Sequence, residues 1–75
     1  MAFVIEFIVG TPGNPASGSN IVFHPTLAGK KTKVFREGIY QYSQLGSNYV
    51  IKPGTGTIFF VPAFDPGERI RIQTV

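Results

Sequence analysis

The 75-residue chain contains no cysteine and no tryptophan, and it has a single histidine. Without cysteine the chain cannot form a disulfide, bind a metal through thiolates or use a thiol as a nucleophile. His24 is the candidate general base, but it stands alone at a strand end before Pro25. A lone histidine in that setting is more often hydrogen-bonded or solvated than catalytic. We therefore expect a protein that is not an enzyme and that needs no cofactor.

Acidic residues are also scarce, with four in the whole chain. Asp65 and Glu68 lie close together in sequence, but two carboxylates three positions apart make a poor cage for calcium. They flank Pro66-Gly67, a pair that is typical of a type II turn. We expect the two acids to cap the backbone of that turn, and we expect no metal site.

A chain of this length forms one domain, and its core is marginal without a disulfide, a metal or a partner. Charged residues make up 15% of the chain, whereas roughly 25% is typical of soluble domains. Association with itself or with a larger assembly is therefore the expected source of additional stability. The apolar segment 2–9 is interrupted by Glu6, lacks a basic start and is too short to span a bilayer. We expect neither a targeting segment nor a membrane partner.

Nine glycines and six prolines divide the chain so often that no stretch predicts an amphipathic helix. Between them lie short runs of β-branched and aromatic residues, which predict strands. Glu37-Gly38 predicts a tight hairpin turn, and residues 10–20 predict a flexible polar loop or arm. The predicted strands cover residues 2–9, 21–24, 32–36, 39–42, 48–52, 57–61 and 69–75. The expected fold is all-β, a small antiparallel sandwich or barrel of six to seven short strands without significant helix.

Two predicted strands, AFVIEFIV and TIFFV, are apolar on both faces, whereas strand 69–75 alternates apolar and polar residues. A strand with two apolar faces needs cover on both, but a small sandwich has one interior. The second faces are therefore either covered by loops or buried against another chain. As contacts of such an interface we expect Phe3, Ile5, Phe7, Ile58, Phe60, Arg69 and Arg71, with Arg36 as a further polar contact at its rim.

Two alternatives use other residues. The net charge of +3 and a basic stretch beside aromatic residues would suit a single-stranded nucleic-acid-binding barrel of the OB type. No RNP-type aromatic motif accompanies this stretch, which makes nucleic acid the weaker expectation. The tyrosines, with Gln41 and Asn48, could instead form the sugar-binding shelf of a carbohydrate-binding adhesin module. The residues proposed for these two alternatives are Lys30, Lys31, Lys33, Arg36, Tyr40, Tyr42 and Tyr49.

Two stretches, LAGKKTKVFREGIYQ at 27–41 and GTGTIFFVPAFDPGERIRIQT at 54–74, cover about half of the chain. They resemble small β-modules of bacteriophage virion proteins that act in capsid decoration, head fibres or tails. The matching residues are Leu27, Gly29, Lys30, Val34, Arg36 and Gly38 in the first stretch, and Thr55, Gly56, Thr57, Ile58, Phe60, Pro62, Phe64, Gly67, Glu68, Ile70 and Ile72 in the second.

The resemblance implies a structural subunit located in a virion, and a cytoplasmic location is expected if it does not hold. It also implies a homo-oligomer with threefold symmetry, contacts with other virion proteins, or both. Such modules often belong to longer fibre chains. Because this one stands alone with its own Met1, we expect a free-standing decoration or accessory subunit.

Overall fold

The computed structural model describes residues 3–44 and 46–75, which form seven strands and one turn of 3₁₀-helix. The all-β prediction is confirmed, and no helix in this part of the chain is long and apolar enough to cross a membrane. The strands are β1 (Val4–Ile8), β2 (Ile21–Phe23), β3 (Thr32–Arg36), β4 (Ile39–Tyr40), β5 (Tyr49–Ile51), β6 (Thr57–Val61) and β7 (Arg69–Thr74), and the 3₁₀-helix is η1 (Pro25–Leu27).

The strands form two antiparallel sheets. Sheet A has the order β1-β7-β3-β4, and sheet B has the order β2-β6-β5. β7 and β6 are inner strands, each paired on both sides. They are also strands in which every second residue is buried, since Ile70, Ile72, Ile58 and Phe60 are 0–2% exposed. The two sheets thus pack their inner faces together as a sandwich.

The core lies between the sheets and is closed by residues from the connections. Leu27 of η1 and Phe64 of the segment after β6 are both buried. The ring of Phe64 packs against Phe60 and Phe7, with centroid distances of 4.8 and 6.2 Å. The hydrophobic core contains Phe7, Val9, Val22, Leu27, Val34, Val50, Ile58, Phe60, Phe64, Ile70 and Ile72.

The predicted hairpin turn between β3 and β4 is present. Glu37 and Gly38 both have positive φ angles, 54° and 77°, as a two-residue type I′ turn requires. A positive φ is unfavourable for glutamate. Its backbone N–H donates to the carbonyl of Arg69, and its carboxylate accepts from the N–H of Arg69 at 2.8 Å. These two bonds hold the turn against the start of β7.

Two connecting segments join the sheets. The strand predicted for 39–42 ends early, because the chain crosses from sheet A to sheet B after β4. The N–H of Gln41 still donates to Val34, whereas the carbonyl of Tyr42 accepts from Val50 of β5. Residues 10–20 form a loop that consists of successive turns. One of these turns is closed by Gly10 N–H on the carbonyl of Pro15, and Gly18 N–H donates to the carbonyl of Phe64.

Gly54 and Gly56 lie in the turn before β6 with nearly equal φ angles, +89° and +93°. A Cβ atom on Gly54 would meet no atom within 4 Å, whereas one on Gly56 would lie 2.8 Å from the carbonyl oxygen of His24. This close approach exists because the N–H of His24 donates to the carbonyl of Gly56. Gly56 therefore fixes how near η1 lies to the start of sheet B.

We predict that Gly54→Ala and Gly56→Ala differ in stability although both place alanine at the same φ. Gly54→Ala should lower the free energy of unfolding by about 1–2 kcal/mol, the cost of a left-handed backbone. Gly56→Ala should cost about 1–3 kcal/mol more, because His24 must also move. Urea denaturation of both variants measures the difference, and equal losses would contradict the prediction.

Candidate interaction surfaces

The outward side of sheet B is a continuous apolar surface. Phe59 of the central strand lies between Ile21 of β2 and Ile51 of β5 in the strand register. Ile21 is 46% exposed and Phe23 is 62% exposed, and the remaining members are half-buried. We call this surface the apolar face, and it consists of Ile21, Phe23, Tyr49, Ile51, Thr57, Phe59 and Val61.

None of the seven residues of the apolar face carries a charge. Monomeric soluble proteins scatter large apolar residues on their surface but rarely gather them into a patch. Both edge strands of this sheet, β2 and β5, have three residues each. Short edges restrict pairing with another strand. The face of this sheet therefore offers more surface for a contact than its edges do.

The structure corrects part of the predicted interface. Phe7, Ile58 and Phe60 are 8%, 2% and 0% exposed, so their side chains lie in the core and cannot meet a partner. Phe3 and Ile5 are half-buried and pack against the same core. The alternation of each strand was recognised, but the side that faces the interior was assigned wrongly. Thr57, the one hydroxyl residue in TIFFV, was the signal that its side faces outward.

The second faces of these strands are not fully covered within the described residues. On β1 the outward residues Val4 and Ile8 are 44% and 41% exposed, on either side of Glu6. Together with the apolar face, this leaves apolar side chains exposed on both outer sides of the sandwich. These side chains are therefore accessible to a partner.

Arg69 and Arg71 are exposed on the outward side of sheet A. In the register, Arg71 lies between Glu6 of β1 and Phe35 of β3, and its guanidinium is 3.1 Å from the Glu6 carboxylate. Both partners are about half exposed, so this ion pair contributes little stability. A shallow groove of about 290 Å³ runs beside Phe35 between the two arginines.

Arg36 is 4% exposed, so neither its predicted contact at an interface rim nor its predicted contact with nucleic acid or a glycan fits the structure. β3 turns Thr32, Val34 and Arg36 inward, and Arg36 therefore enters the end of the sandwich. Its Nε and Nη2 atoms each donate to the carboxylate of Glu68 at 2.7 Å. Its remaining bonds go to backbone carbonyls, with Nη1 on Pro62 and Nη2 on Ala63.

Glu68 combines two roles in the turn before β7. Hydrogen bonds from Arg36 hold the pKa of its carboxyl below the ordinary value near 4.5, against the opposing effect of burial. Its Oε1 atom also accepts the backbone N–H of Asp65 at 2.7 Å, which confirms the predicted capping of this turn. The ion pair thereby joins β3 to the turn after β6.

The other predicted polar residues separate into different regions. Lys30 and Lys31 lie between η1 and β3, and Lys33 points outward from sheet A opposite Gln73. All three are exposed, but without Arg36 they are no longer a cluster of four. A lysine that was not predicted, Lys52, donates to the carbonyl of Thr32 at 2.8 Å, and burial lowers its pKa.

Two of the three tyrosines, Tyr40 and Tyr42, have their rings in contact. The rings of Tyr40 and Tyr42 are 4.9 Å apart at 85°, and Tyr40 also packs edge-on against Phe35 at 5.6 Å. They border a cleft of about 520 Å³, which we call the tyrosine cleft. Tyr49 belongs to the apolar face instead. The cleft is lined by Arg36, Glu37, Ile39, Tyr40, Gln41, Tyr42, Ser47, Asn48 and Glu68.

His24 has a structural role. Its Nδ1 atom accepts the N–H of Thr26 at 3.2 Å and caps η1, while its ring packs 4.8 Å from Phe3. Within residues 3–44 and 46–75 no three acidic, histidine or cysteine residues come together as a metal site would require. Comparison of the chain with protein-family models, curated proteins and solved structures gives no match.

The lowered pKa of Glu68 predicts a loss of stability in acid. A carboxyl whose folded pKa lies below its unfolded value stabilises the fold above the unfolded pKa, near 4.5, and this contribution disappears as the pH falls through the folded pKa. Glu68→Gln should lose about 3 kcal/mol at pH 7, because the charge of Arg36 remains buried without its partner. Below about pH 4.5 the free energy of unfolding of this variant should also decrease less steeply with falling pH than that of the wild type.

Glu6→Gln is the matched control, since it removes a carboxylate from the exposed pair with Arg71. It should change the free energy of unfolding by no more than about 0.5 kcal/mol. Urea denaturation from pH 3 to pH 7 measures all three proteins. If Glu68→Gln loses as much unfolding free energy at low pH as the wild type does, groups other than Glu68 cause the loss of stability in acid.

Proposed function

We propose that this protein is a non-enzymatic structural subunit that self-associates through the apolar face. The observation that carries the proposal is the uncharged, apolar outward side of sheet B, on which Ile21 and Phe23 are 46% and 62% exposed. A small core without disulfides gains stability when such a surface is buried, because a partner that binds the folded state shifts the folding equilibrium.

The chemistry of the apolar face favours a second copy of the chain as its partner. All seven basic and four acidic residues lie outside it. Two copies, each with a net charge of +3, can therefore meet there without placing like charges opposite each other. Lys52, which follows the last member of β5, is turned toward Thr32 of sheet A. A twofold pairing would match Phe and Ile side chains of one copy with those of the other.

The dimensions of the molecule also suit such a contact. It measures 29 × 29 × 20 Å. Two sheets about 10 Å apart with side chains on their outer sides account for the short dimension, so the apolar face lies on a broad side. A standard interface buries about 800 Å² on each partner, which a broad side of this size can supply. The apolar face would be its centre and the surrounding polar turns its rim.

The resemblance of residues 27–41 and 54–74 to phage β-modules supports a more specific role as a virion-associated subunit. In the fold, Arg36 of the first stretch pairs with Glu68 of the second, so the shared residues include contacts that hold the sandwich together. On this proposal the chain serves in capsid decoration, a head fibre or a tail. Contacts with other virion proteins would use the outward side of sheet A, where Arg69, Arg71, Val4 and Ile8 are exposed.

Nucleic-acid binding has less support than self-association. Arg36, one of its four proposed basic contacts, is committed to Glu68 and to two backbone carbonyls. The three remaining lysines, Lys30, Lys31 and Lys33, lie on a turn and on β3, away from Tyr49 on the opposite sheet. Sheet A does carry Phe35 and Tyr40 beside Lys33 and Arg71, and this is the surface that a single strand would use.

Self-association is tested by the absolute mass in solution, measured by light scattering after gel filtration over a dilution series. The wild type should show at least twice the mass of one chain at high concentration. Because burial of apolar surface drives the contact, high salt should not dissociate it. Phe23→Glu should give a single-chain mass at every concentration, since it would place a charge within the apolar contact.

Ile39→Glu is the control for this experiment. Ile39 is 67% exposed and Phe23 is 62% exposed, so both changes replace an exposed apolar residue with glutamate at similar cost to the fold. Ile39 lies on β4, outside the apolar face. This variant should associate like the wild type. A wild-type chain that remains single at all concentrations, or dissociation of both variants alike, would contradict the proposal.

A further inference from the structure

The tyrosine cleft is separate from the apolar face and is built from different chemistry. It forms where the chain crosses from sheet A to sheet B. Gln41 is bonded to β3 at that point, and Tyr42 is bonded to β5. The volume of about 520 Å³ is within the roughly 300–1,000 Å³ of small-molecule sites. Tyr42 is 57% exposed and Tyr40 is 38% exposed, so ring surface is available to a ligand.

The aromatic side of the cleft is ordered before a ligand arrives. Tyr40 is held between Phe35 and Tyr42, with ring planes at 69° and 85° to it. Phe35 lies opposite Tyr40 in the register of β3 and β4, which fixes the base of this row. An ordered ring loses little conformational entropy on binding. It offers a flat apolar surface with a negative π face.

The polar side of the cleft consists mainly of neutral hydrogen-bonding groups. Ser47 and Asn48 are exposed on its border. Gln41 is 4% exposed and donates through Nε2 to the carbonyl of Ile39, while its Oε1 atom is buried without a partner among the described residues. A buried acceptor without a donor costs free energy. A hydroxyl group that reaches it would supply that donor.

The charges of the cleft disfavour anions. Arg36 lies in its lining, but four of the five guanidinium N–H donors are used by Glu68, Pro62 and Ala63. Two carboxylates, Glu37 and Glu68, are also part of the lining. Arg36 and Glu68 neutralise each other, so a phosphate or an acidic sugar would meet the negative charge of Glu37 without a cation available to pair with it. A neutral ligand avoids this repulsion.

We propose that the tyrosine cleft binds a neutral saccharide. One face of a sugar ring carries polarised C–H groups that pack on an aromatic ring, and its hydroxyls both donate and accept hydrogen bonds. Tyr42 and Tyr40 provide the aromatic surface, and Asn48, Ser47 and Gln41 provide the polar contacts. Tyr49, which is on the apolar face, takes no part. This site is independent of self-association, because its lining shares no residue with the apolar face.

The experiment is an NMR titration of the ¹⁵N-labelled full chain. The probes are methyl β-D-galactopyranoside, maltotriose and triacetylchitotriose as neutral sugars, with D-glucuronate and a short oligothymidylate as anions. At least one neutral sugar should give saturable amide shifts at residues 37–42 and 46–48, with a dissociation constant on the order of 1 mM. A trisaccharide that binds where the monosaccharide does not would indicate an oligosaccharide chain as the ligand.

Three variants locate the site. Tyr42→Ala should weaken the binding by about tenfold or more, whereas Tyr42→Phe keeps the ring and should stay within about threefold of the wild type. Tyr49→Ala should bind as the wild type does. The proposal is overturned if no neutral sugar shifts these amides at concentrations up to about 10 mM. It is also overturned if the shifts persist in Tyr42→Ala, or if the oligothymidylate occupies the cleft in preference to every neutral sugar.

Discussion

A two-layer sandwich has one interior, and the arrangement of this molecule follows from that constraint. β6 offers apolar residues to both of its sides, but only Ile58 and Phe60 are buried in the core. Phe59 and Val61 must then face outward, where β2 and β5 add Ile21, Phe23 and Ile51. The surplus of apolar residues in a chain of this size therefore becomes a surface. Its burial against a second copy would complete the cover that one chain cannot provide.

The ends of the sandwich depend on the ion pair between Arg36 and Glu68. A core this small has few apolar side chains to close the ends of the sandwich. At one end the guanidinium of Arg36 takes their place and forms hydrogen bonds with Glu68, Pro62 and Ala63. The same residue forms part of the base of the tyrosine cleft. Because four of its five N–H donors are used and its charge is paired with Glu68, it shapes the cleft without attracting anions. The fold and the chemistry of the cleft thus share one residue.

The sequence predicted the strands well because short β-branched runs between glycines and prolines leave few alternatives. Residues 32–36 and 57–61 have the predicted bounds, and Glu37-Gly38 forms the predicted turn. When a strand is apolar on both faces, alternation alone does not tell which face is in the core. Ile58 and Phe60 were therefore assigned to the interface, although they are buried in the core. Arg36 was assigned to the surface because its partner Glu68 lies 32 residues away, and sequence spacing does not show that the two side chains meet. Tyr40 and Tyr42 were identified, but their separation from Tyr49 depends on the crossing between the sheets.

Self-association through the apolar face is tested by measuring which side chains lose solvent accessibility as the protein concentration rises. Methyl relaxation by a soluble gadolinium chelate, followed over a dilution series, reports the accessibility of each side of the sandwich. Self-association through the apolar face should protect the methyl groups of Ile21, Ile51 and Val61 at high protein concentration, and dilution should make them accessible. Those of Val4 and Ile8, on the other sheet, should stay accessible throughout. Equal accessibility of both sets at every concentration would show that the apolar face is not the contact.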